Sequence, residues 1–290
     1  FPLMEWQEGM KTRADDAEIY GYDASYTAVR ELVGELDDAT LAALLTAVYR
    51  GESAYDPPGT VDPDSLSRTG WRRFLDLVED RAGITGADRV YRTWVLTDEQ
   101  DGLLEQRSTA REAYRELDAA DGPWLAPQGV REAMAGWRFD EAEAAIDTLD
   151  GASRTVGEVQ SATAEAGLDE LGWLRQAWQE ADSQAAYTEL TAVLPRALEV
   201  TGQVRAASET ATKAADPVSQ LGELLLSVDP TVAGARSYLL DGDLDTSDAW
   251  ARSALERSRI ALWVGAGAIV AVVILAAGAG VALVAVRRRA

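Results

Sequence analysis

The residues available for chemistry in this chain are restricted mainly to carboxylates, hydroxyls, arginines and two lysines. The sequence has 290 residues and contains no histidine and no cysteine. It therefore excludes Ser-His-Asp and Cys-His catalysis, zinc sites built from thiolates or imidazoles, haem held by His or Cys, and disulfides. The sequence also shows no glycine-rich phosphate loop, because its one long glycine-rich segment is apolar throughout. No catalytic residue and no cofactor is predicted, and the protein is not expected to be an enzyme.

Alternating acids at Asp241, Asp243 and Asp245 resemble the beginning of a calcium-binding loop. Such a loop needs a glycine at its sixth position and a bidentate glutamate at its twelfth. Counted from Asp241, these positions hold Thr246 and Arg252. The three aspartates are therefore weak carboxylate candidates for a metal. The sequence favours a turn between two helices, in which an acid caps the second helix.

The charge of the chain is strongly negative, with 49 acidic against 27 basic residues and a formal net charge of −22. All basic residues except Lys11 and Lys213 are arginines. Acid-rich, lysine-poor proteins are typical of multimolar salt, where screening over about 3 Å at 1 M removes the self-repulsion of such a surface. The composition indicates a halophile, with an acidic protein from a GC-rich bacterium as the alternative. Nucleic acid is not expected as a partner, because phosphates would be repelled.

A long apolar run covers residues 260–286 and contains no charged side chain. As a helix rising about 1.5 Å per residue it would be about 40 Å long, against a hydrocarbon core of about 30 Å. Trp263 lies near one end and Arg287, Arg288 and Arg289 follow the other, which is typical of side chains that anchor a helix at the membrane interfaces. The run predicts a transmembrane helix, with the lipid bilayer as a partner.

The orientation of this helix is predicted from less direct observations. Three arginines precede the run and three follow it, so the count of basic residues gives a tie. The sequence begins with Phe1 rather than Met, as a chain would after removal of a signal peptide, although a fragment would begin in the same way. We expect a single-pass protein of the cell membrane or envelope, with the large N-terminal domain outside and the C-terminus in the cytoplasm.

The apolar run also contains pairs of small residues spaced four apart. This spacing lets helices approach closely in lipid, and it predicts that the span packs against another helix. High alanine and glycine usage is the alternative explanation. The paired residues are Ala261 with Gly265, Ala276 with Gly280, and Gly278 with Ala282.

The periodicity of apolar residues predicts a mostly α-helical protein, an irregular helical bundle or helix-hairpin ectodomain followed by the transmembrane helix. An N-terminal, mainly helical subdomain is expected over residues 1–98, with a proline-rich loop at 51–70. A helical-bundle or hairpin-repeat subdomain is expected over 99–258, the membrane helix over 259–286, and a short basic tail over 287–290. Asp37 and Asp38 are expected to cap a helix.

Several finer features are predicted within these helical regions. Residues 89–96 are the best strand candidate because β-branched and aromatic residues alternate there, with a helix as the alternative. Separate helices are predicted at 139–149 and 152–166 because an Asp-Gly pair lies between them. Pro195 is expected to kink or restart a long helix. The final soluble helix is expected at 245–258.

Two segments share a helix-turn-helix pattern, at residues 133–146 and 238–251, and a poorer copy lies at 177–187. In the two better copies a helix ends at a glycine, an apolar residue follows, and small residues recur along the next helix. The pattern resembles the hairpins of tetratricopeptide-type repeat proteins. It lacks their 34-residue consensus, and an irregular bundle is the alternative.

Most of the nine tryptophans fall within helical patterns and are predicted to lie in the core. Trp6 differs because it belongs to an apolar N-terminal segment of a very acidic protein. Phe1 and Trp6 are therefore candidate contacts to a partner, or anchors that dock this segment on its own domain.

Together these observations predict a membrane-anchored helical protein that binds other proteins, as a subunit of a larger membrane or envelope assembly of a halophile. A protein partner is expected to contact both the ectodomain and the transmembrane helix. One alternative is a membrane-tethered enzyme, or a domain that binds a cation or solute through carboxylates. Another is a surface protein of an enveloped virus.

Overall fold

The protein is mostly α-helical, as a computed structural model shows. The structure describes residues 2–6, 10–11, 14–61, 70–212 and 216–287, without the side chains of residues 14 and 280–287. No β-strand is formed in these ranges, and Glu52 and Val61 make an isolated antiparallel bridge. The predicted fold class of helices with one long apolar C-terminal helix is confirmed.

Apart from the proline-rich loop between Arg50 and Trp71, the helices follow one another with short connections. After a 3₁₀ turn at Leu3–Glu5, the chain forms α1 (Ala14–Val33), α2 (Asp38–Arg50), α3 (Trp71–Arg81), α4 (Ala87–Val90), α5 (Asp98–Ala120), α6 (Gln128–Ala135), α7 (Phe139–Glu165), α8 (Gly172–Glu180), α9 (Gln184–Thr212), α10 (Pro217–Leu225), α11 (Val228–Leu240) and α12 (Leu244–Arg287). Asp37 caps α2 as expected, since its carboxylate accepts a hydrogen bond from the amide of Thr40 at 2.9 Å.

The strand predicted at residues 89–96 is wrong. Helix α4 passes directly into a π-helical turn, Tyr91–Val95, which ends where the amide of Leu96 donates to the carbonyl of Tyr91 at 2.9 Å. A strand here would have needed a partner strand for its backbone groups, whereas a helical turn satisfies them locally. The wide turn buries Val90 and Tyr91 together.

Two predicted helix boundaries are also wrong, one at Gly151 and one before the apolar run. Helix α7 runs through Gly151 without a break, because one glycine costs a helix only about 1 kcal/mol relative to alanine. Helix α9 continues through Pro195, so the proline does not restart it. Helix α12 joins the predicted helix at 245–258 to the apolar run, which makes one element of 44 residues.

The chain forms two compact units, the first of which comprises Phe1–Ala119, Leu125–Asp150 and Glu180–Gln184. Its buried apolar side chains come mainly from α2, α3, α5, α6 and α7. They include Leu44, Leu75, Leu77, Val78, Leu104, Leu117, Val130, Met134 and Leu149. The proline-rich loop contributes as well, because Glu52, Ser53 and Tyr55 at its beginning are buried. Residues 62–69 of that loop lie outside the described residues.

The second unit comprises Ala120–Trp124, Gly151–Gln179 and Ala185–Ala290. Its core is built from the later part of α7 and from α8, α9, α11 and the first half of α12. The buried side chains include Val156, Leu171, Leu174, Trp178, Leu190, Leu194, Val200, Val204 and Leu239. The predicted subdomain boundary between residues 98 and 99 remains a prediction.

Helix α12 is long and apolar enough to cross a membrane. At about 1.5 Å per residue its 44 residues span about 66 Å. The residues at 269–279 are exposed on every side of the helix, although the apolar sequence would favour burial in a water-soluble protein.

Candidate interaction surface

Helix α1 presents a stripe of large apolar side chains on its exposed side. The spacing of three and four residues places them on one face of the helix. Each of them is more than half exposed, and a contiguous exposed patch of large apolar side chains often marks an interaction surface. The four residues are Ile19 (65%), Tyr22 (65%), Tyr26 (67%) and Val29 (52%), and together they are called the α1 stripe.

The opposite face of α1 explains why these large side chains point outward. Ala17, Ala24 and Ala28 are buried, and so is Leu32 at the end of the helix. Small side chains on this face leave room for other groups to approach the α1 backbone closely, as the Trp6 indole does at Gly21. In a usual amphipathic helix the large apolar side chains face the core, whereas in α1 most of them are exposed and small side chains face the core.

Trp6 docks on α1 next to the stripe. Its indole Nε1–H donates a hydrogen bond to the carbonyl of Ala17 at 2.8 Å. The indole lies against Gly21, where a Cβ atom would overlap it, and its ring meets that of Tyr22 edge-on with centroids 6.5 Å apart. Trp6 therefore holds the N-terminal segment on its own domain and flanks the stripe. Phe1 lies outside the described residues.

The polar residues beside the stripe are mainly acidic. Asp16, Glu18 and Asp23 are exposed on α1, where Arg30 supplies a positive charge near the end of the helix. A partner that covers the stripe would therefore place basic groups around an apolar centre. A second acidic surface would be repelled in low salt.

The first unit also contains a buried ionic network centred on Asp76. One carboxylate oxygen of Asp76 accepts from Nε of Arg107 at 2.7 Å and from Arg111 at 3.3 Å. The other accepts from the indole of Trp137 at 2.8 Å. Burial raises the pKa of the Asp76 carboxyl, and the charge of Arg107 opposes this rise.

The remaining members of the network balance its charge. Glu79 accepts from Arg107 at 2.7 Å, so two carboxylates face two guanidinium groups. The hydroxyl of Tyr55 lies 3.4 Å from Asp76 and 3.3 Å from Arg111, and burial raises its pKa. Because the hydrogen bonds of Asp76 are directed to protein groups inside the unit, we interpret the network as a structural element that connects α3, α5 and the turn before α7.

The aspartates of the predicted metal loop are divided among different tasks. Asp243 accepts a hydrogen bond from the amide of Thr246 at 3.0 Å and caps α12. Asp245 cannot be the capping residue, because the helix begins at Leu244 and Asp245 lies within it. Asp245 faces Arg196 at 3.5 Å, and Asp241 forms the end of α11. Within the described part of the chain, no group of three or more acids is arranged to hold a metal ion.

Replacing Asp243 by alanine is expected to lower the thermal unfolding midpoint of the second unit, because the amide of Thr246 loses its acceptor. The hydrogen bonds from Thr246 lower the pKa of Asp243 below its ordinary value of 3.8. Its contribution is therefore present above that value and is lost as the pH falls through the folded pKa. Circular dichroism should show a difference from wild type at neutral pH that disappears in acid. A larger effect of Asp241→Ala, the control, would contradict the assignment.

A small cleft in the second unit is an alternative candidate site. It has a volume of about 190 Å³ and is lined mostly by apolar groups around Trp124. Its carboxylate, Glu170, accepts a hydrogen bond from the Trp124 indole and also pairs with Arg175 at 2.6 Å. One carboxylate committed to two partners does not provide the pair that glycoside hydrolysis requires.

The small residues of the apolar run have different surroundings. Ala261 and Gly265 are buried against α10 of the same chain. Ala276 and Gly278 are exposed. The backbones of Gly280, Ala282 and Arg287 are helical, but the surroundings of their side chains are not described. Arg288 and Arg289 lie outside the described residues. Trp263 is 76% exposed.

No protein-family model, curated protein or solved structure matches the chain. Function must therefore be argued from the surfaces of the molecule itself. Sequence reasoning missed the α1 stripe, although a signal was present: alanines and large apolar residues occupy opposite faces of the same predicted helix. Of the predicted contacts, Trp6 lies beside the stripe.

Proposed function

We propose that the protein is a membrane-anchored helical protein that binds another protein through the α1 stripe. The single observation that carries the proposal is the exposure of four large apolar side chains on one helix face, where Ala17 and Ala24 occupy the buried face instead. Exposed tyrosines suit this role, because each ring supplies apolar contact area and a hydroxyl at little conformational cost. We expect the partner to present an apolar patch surrounded by basic residues.

The anchor in this proposal is the apolar part of α12. Leucine, isoleucine and valine side chains at residues 269–279 are exposed on every side of the helix, which hydrocarbon would accommodate and water would not. A helix also satisfies all its backbone hydrogen bonds internally, as a membrane requires. We expect the protein to act as a subunit of a larger membrane or envelope assembly.

We further propose that the large N-terminal part lies outside the cell. Three arginines lie on each side of the apolar run, so their count gives a tie, but the three that follow it are consecutive, which we take to favour a cytoplasmic location for that end. Of the arginines that precede the run, Arg252 pairs with Asp248 at 2.8 Å, and Arg257 donates to the carbonyl of Leu226 at 2.9 Å. Protease treatment of intact cells should degrade the N-terminal part. Its complete protection would contradict this orientation.

The acidic composition supports a high-salt setting for this assembly. A formal charge of −22 repels itself at low ionic strength, and salt at multimolar concentration removes this cost. Binding to a basic-rimmed partner would then depend on the apolar stripe more than on long-range attraction. We therefore expect the complex to survive purification in concentrated salt.

The double variant Tyr22→Ser, Tyr26→Ser is expected to abolish co-purification of the partner from native membranes in high salt. Central aromatic residues of an interface each contribute about 2 kcal/mol or more, so each tyrosine should weaken binding by about 30-fold. Both side chains are exposed, so the fold should be unchanged by circular dichroism. Quantitative mass spectrometry of the purified material measures the stoichiometry.

Tyr49→Ser is the matched control, because Tyr49 is an exposed tyrosine on α2 rather than on the stripe. It should leave the partner in place. A wild-type protein that emerges alone and monomeric would overturn the proposed function. A partner retained equally by all three proteins would place the interface elsewhere on the molecule.

A further inference from the structure

Helix α10 lies along the beginning of the apolar run with almost no gap. A Cβ atom on Gly222 would overlap the carbonyl of Ala261, and a Cβ on Gly265 would overlap the carbonyl of Val218. Backbones this close need glycine at both positions. The Ala261 and Gly265 pair, which the sequence offered for contact with another membrane helix, is therefore occupied by α10.

The register of this contact is defined by polar pairs as well. Arg257 donates to the carbonyl of Leu226 at 2.9 Å, and the hydroxyl of Ser258 lies 3.4 Å from a carboxylate oxygen of Glu223. Residue numbers thus rise along α10 as they fall along α12, so the two helices are antiparallel. The start of α10 lies beside Gly265 and its end lies beside Arg257. We call α10 together with residues 257–265 the clasp.

The charges of α10 limit how deep the clasp can sit in a membrane. Asp216 caps the helix by accepting from the amide of Ser219 at 2.8 Å, at the end that lies beside Gly265. Hydrogen bonds from Ser219 keep the pKa of Asp216 low, so this carboxylate is charged at neutral pH. An ionised carboxylate in hydrocarbon is destabilising even on insertion scales, which give the smallest penalties. The hydrocarbon must therefore begin beyond Gly265.

We propose that the bilayer hydrocarbon begins at residue 266, and that the part of the clasp around residues 260–265 lies in the headgroup layer and contacts lipid there. This inference rests on the proposed membrane anchor and defines its depth. Residues 266–286 then form the membrane-embedded segment, which at about 1.5 Å per residue is about 32 Å long, against a core of about 30 Å. The full apolar run would be about 10 Å too long.

The exposed side chains of the clasp are of the kind that lipid headgroups cover. They form an apolar surface that continues directly into the exposed part of the run, and Trp263 carries the amphipathic ring that prefers headgroup depth. Headgroups add about 5–8 Å on each side of the hydrocarbon, a layer that reaches back from Gly265 toward Ile260. The exposed apolar residues at this depth are Ile260, Leu262 and Trp263, and the exposed Leu224 and Leu225 lie at the aqueous edge of the layer, near Arg257.

The absence of cysteine makes this depth directly measurable. Single cysteines are introduced into the full chain, which is reconstituted in nanodiscs of phosphatidylcholine and phosphatidylglycerol and treated with a membrane-impermeant maleimide. Glu256→Cys, which lies on the aqueous side, and Ile260→Cys are expected to be labelled. Ile269→Cys and Val273→Cys are expected to remain unlabelled, because their side chains lie in hydrocarbon.

The outcomes separate this inference from the proposed anchor. If Ile260→Cys is also protected from labelling, the inferred depth is overturned and the proposed anchor is unaffected. Labelling of Ile269→Cys and Val273→Cys would overturn the anchor itself. If Leu224→Cys and Ile260→Cys are freely labelled in nanodiscs but protected in native membranes, a protein covers the clasp and the lipid assignment is wrong.

A pair of glycine variants tests whether α10 sets the depth. Gly222→Leu should separate α10 from Ala261, so the first turns of the apolar run sink into lipid and Ile260→Cys loses labelling. Gly267→Leu is the matched control, because a side chain there meets open space, and it should leave the labelling pattern unchanged. An unchanged pattern in folded Gly222→Leu would overturn the role of the clasp. Should that variant fail to fold, the cysteine scan of the otherwise unaltered chain decides alone.

Discussion

Asp76→Ala is expected to lower the free energy of unfolding of the first unit by about 3–5 kcal/mol, because it removes the centre of a buried ionic network. Asp76 is 2% exposed and accepts hydrogen bonds from Arg107 and from the indole of Trp137. Its removal leaves a buried guanidinium with less than its full set of acceptors. Hydrogen exchange of the amides in α3 and α5 measures the effect within this unit.

Asp80→Ala is the matched control for this prediction, since Asp80 lies on the same helix and pairs with Arg81 near the surface. An exposed pair of this kind contributes less than about 1 kcal/mol. Asp76→Asn keeps an acceptor for Trp137 but removes the charge, and we expect an intermediate loss. Equal stability of the two alanine variants would show that the network does not hold the unit together.

The sequence predicted those parts of the fold that depend on local patterns. The cap at Asp37 needs only a carboxylate three residues before an amide, and the apolar run of α12 needs only its composition. Boundaries failed where tertiary contacts outweighed local signals. Gly151 is an ordinary helix breaker, yet α7 continues through it, because Leu149 and Ala152 on either side of it are buried.

The buried network could not have been predicted, because its members are distant in sequence. Arg107 lies 31 residues from Asp76, and Trp137 lies 61 residues from it. Nothing in the local sequence distinguishes Asp76 from the many solvated acids of the chain. The Trp137 backbone adopts a positive φ of 55°, which is uncommon for a bulky residue, and its amide donates to the carbonyl of Met134 at the end of α6.

The α1 stripe was missed for a different reason. Alanines at 17, 24 and 28 and large apolar residues at 19, 22, 26 and 29 both follow the helical period. The sequence therefore defines two apolar faces but not which of them packs inward. That choice depends on how closely neighbouring helices approach. The small-residue pair at Ala261 was ambiguous in the same way, since its spacing predicted a close contact without identifying α10 as the neighbour.

Trp178→Ala is expected to lower the free energy of unfolding of the second unit by about 3–5 kcal/mol, the usual cost of deleting a buried aromatic side chain. Trp178 is fully buried, and its indole donates to the carboxylate of Asp121 at 3.0 Å. Trp178→Phe should lose about 1–3 kcal/mol, because it keeps most of the apolar volume and removes the hydrogen bond. Hydrogen exchange in α8 and α9 measures both variants.

Trp263→Ala is the matched control for Trp178→Ala. It also removes a tryptophan, but one that is 76% exposed rather than buried in the core. We expect it to leave exchange in α8 and α9 unchanged, since it removes no side chain from the core. Close packing around the Trp178 indole keeps neighbouring side chains from collapsing into the space that it leaves. A loss for Trp178→Ala no larger than that for Trp263→Ala would mean that this core is loosely packed, and the described arrangement of the second unit would be wrong.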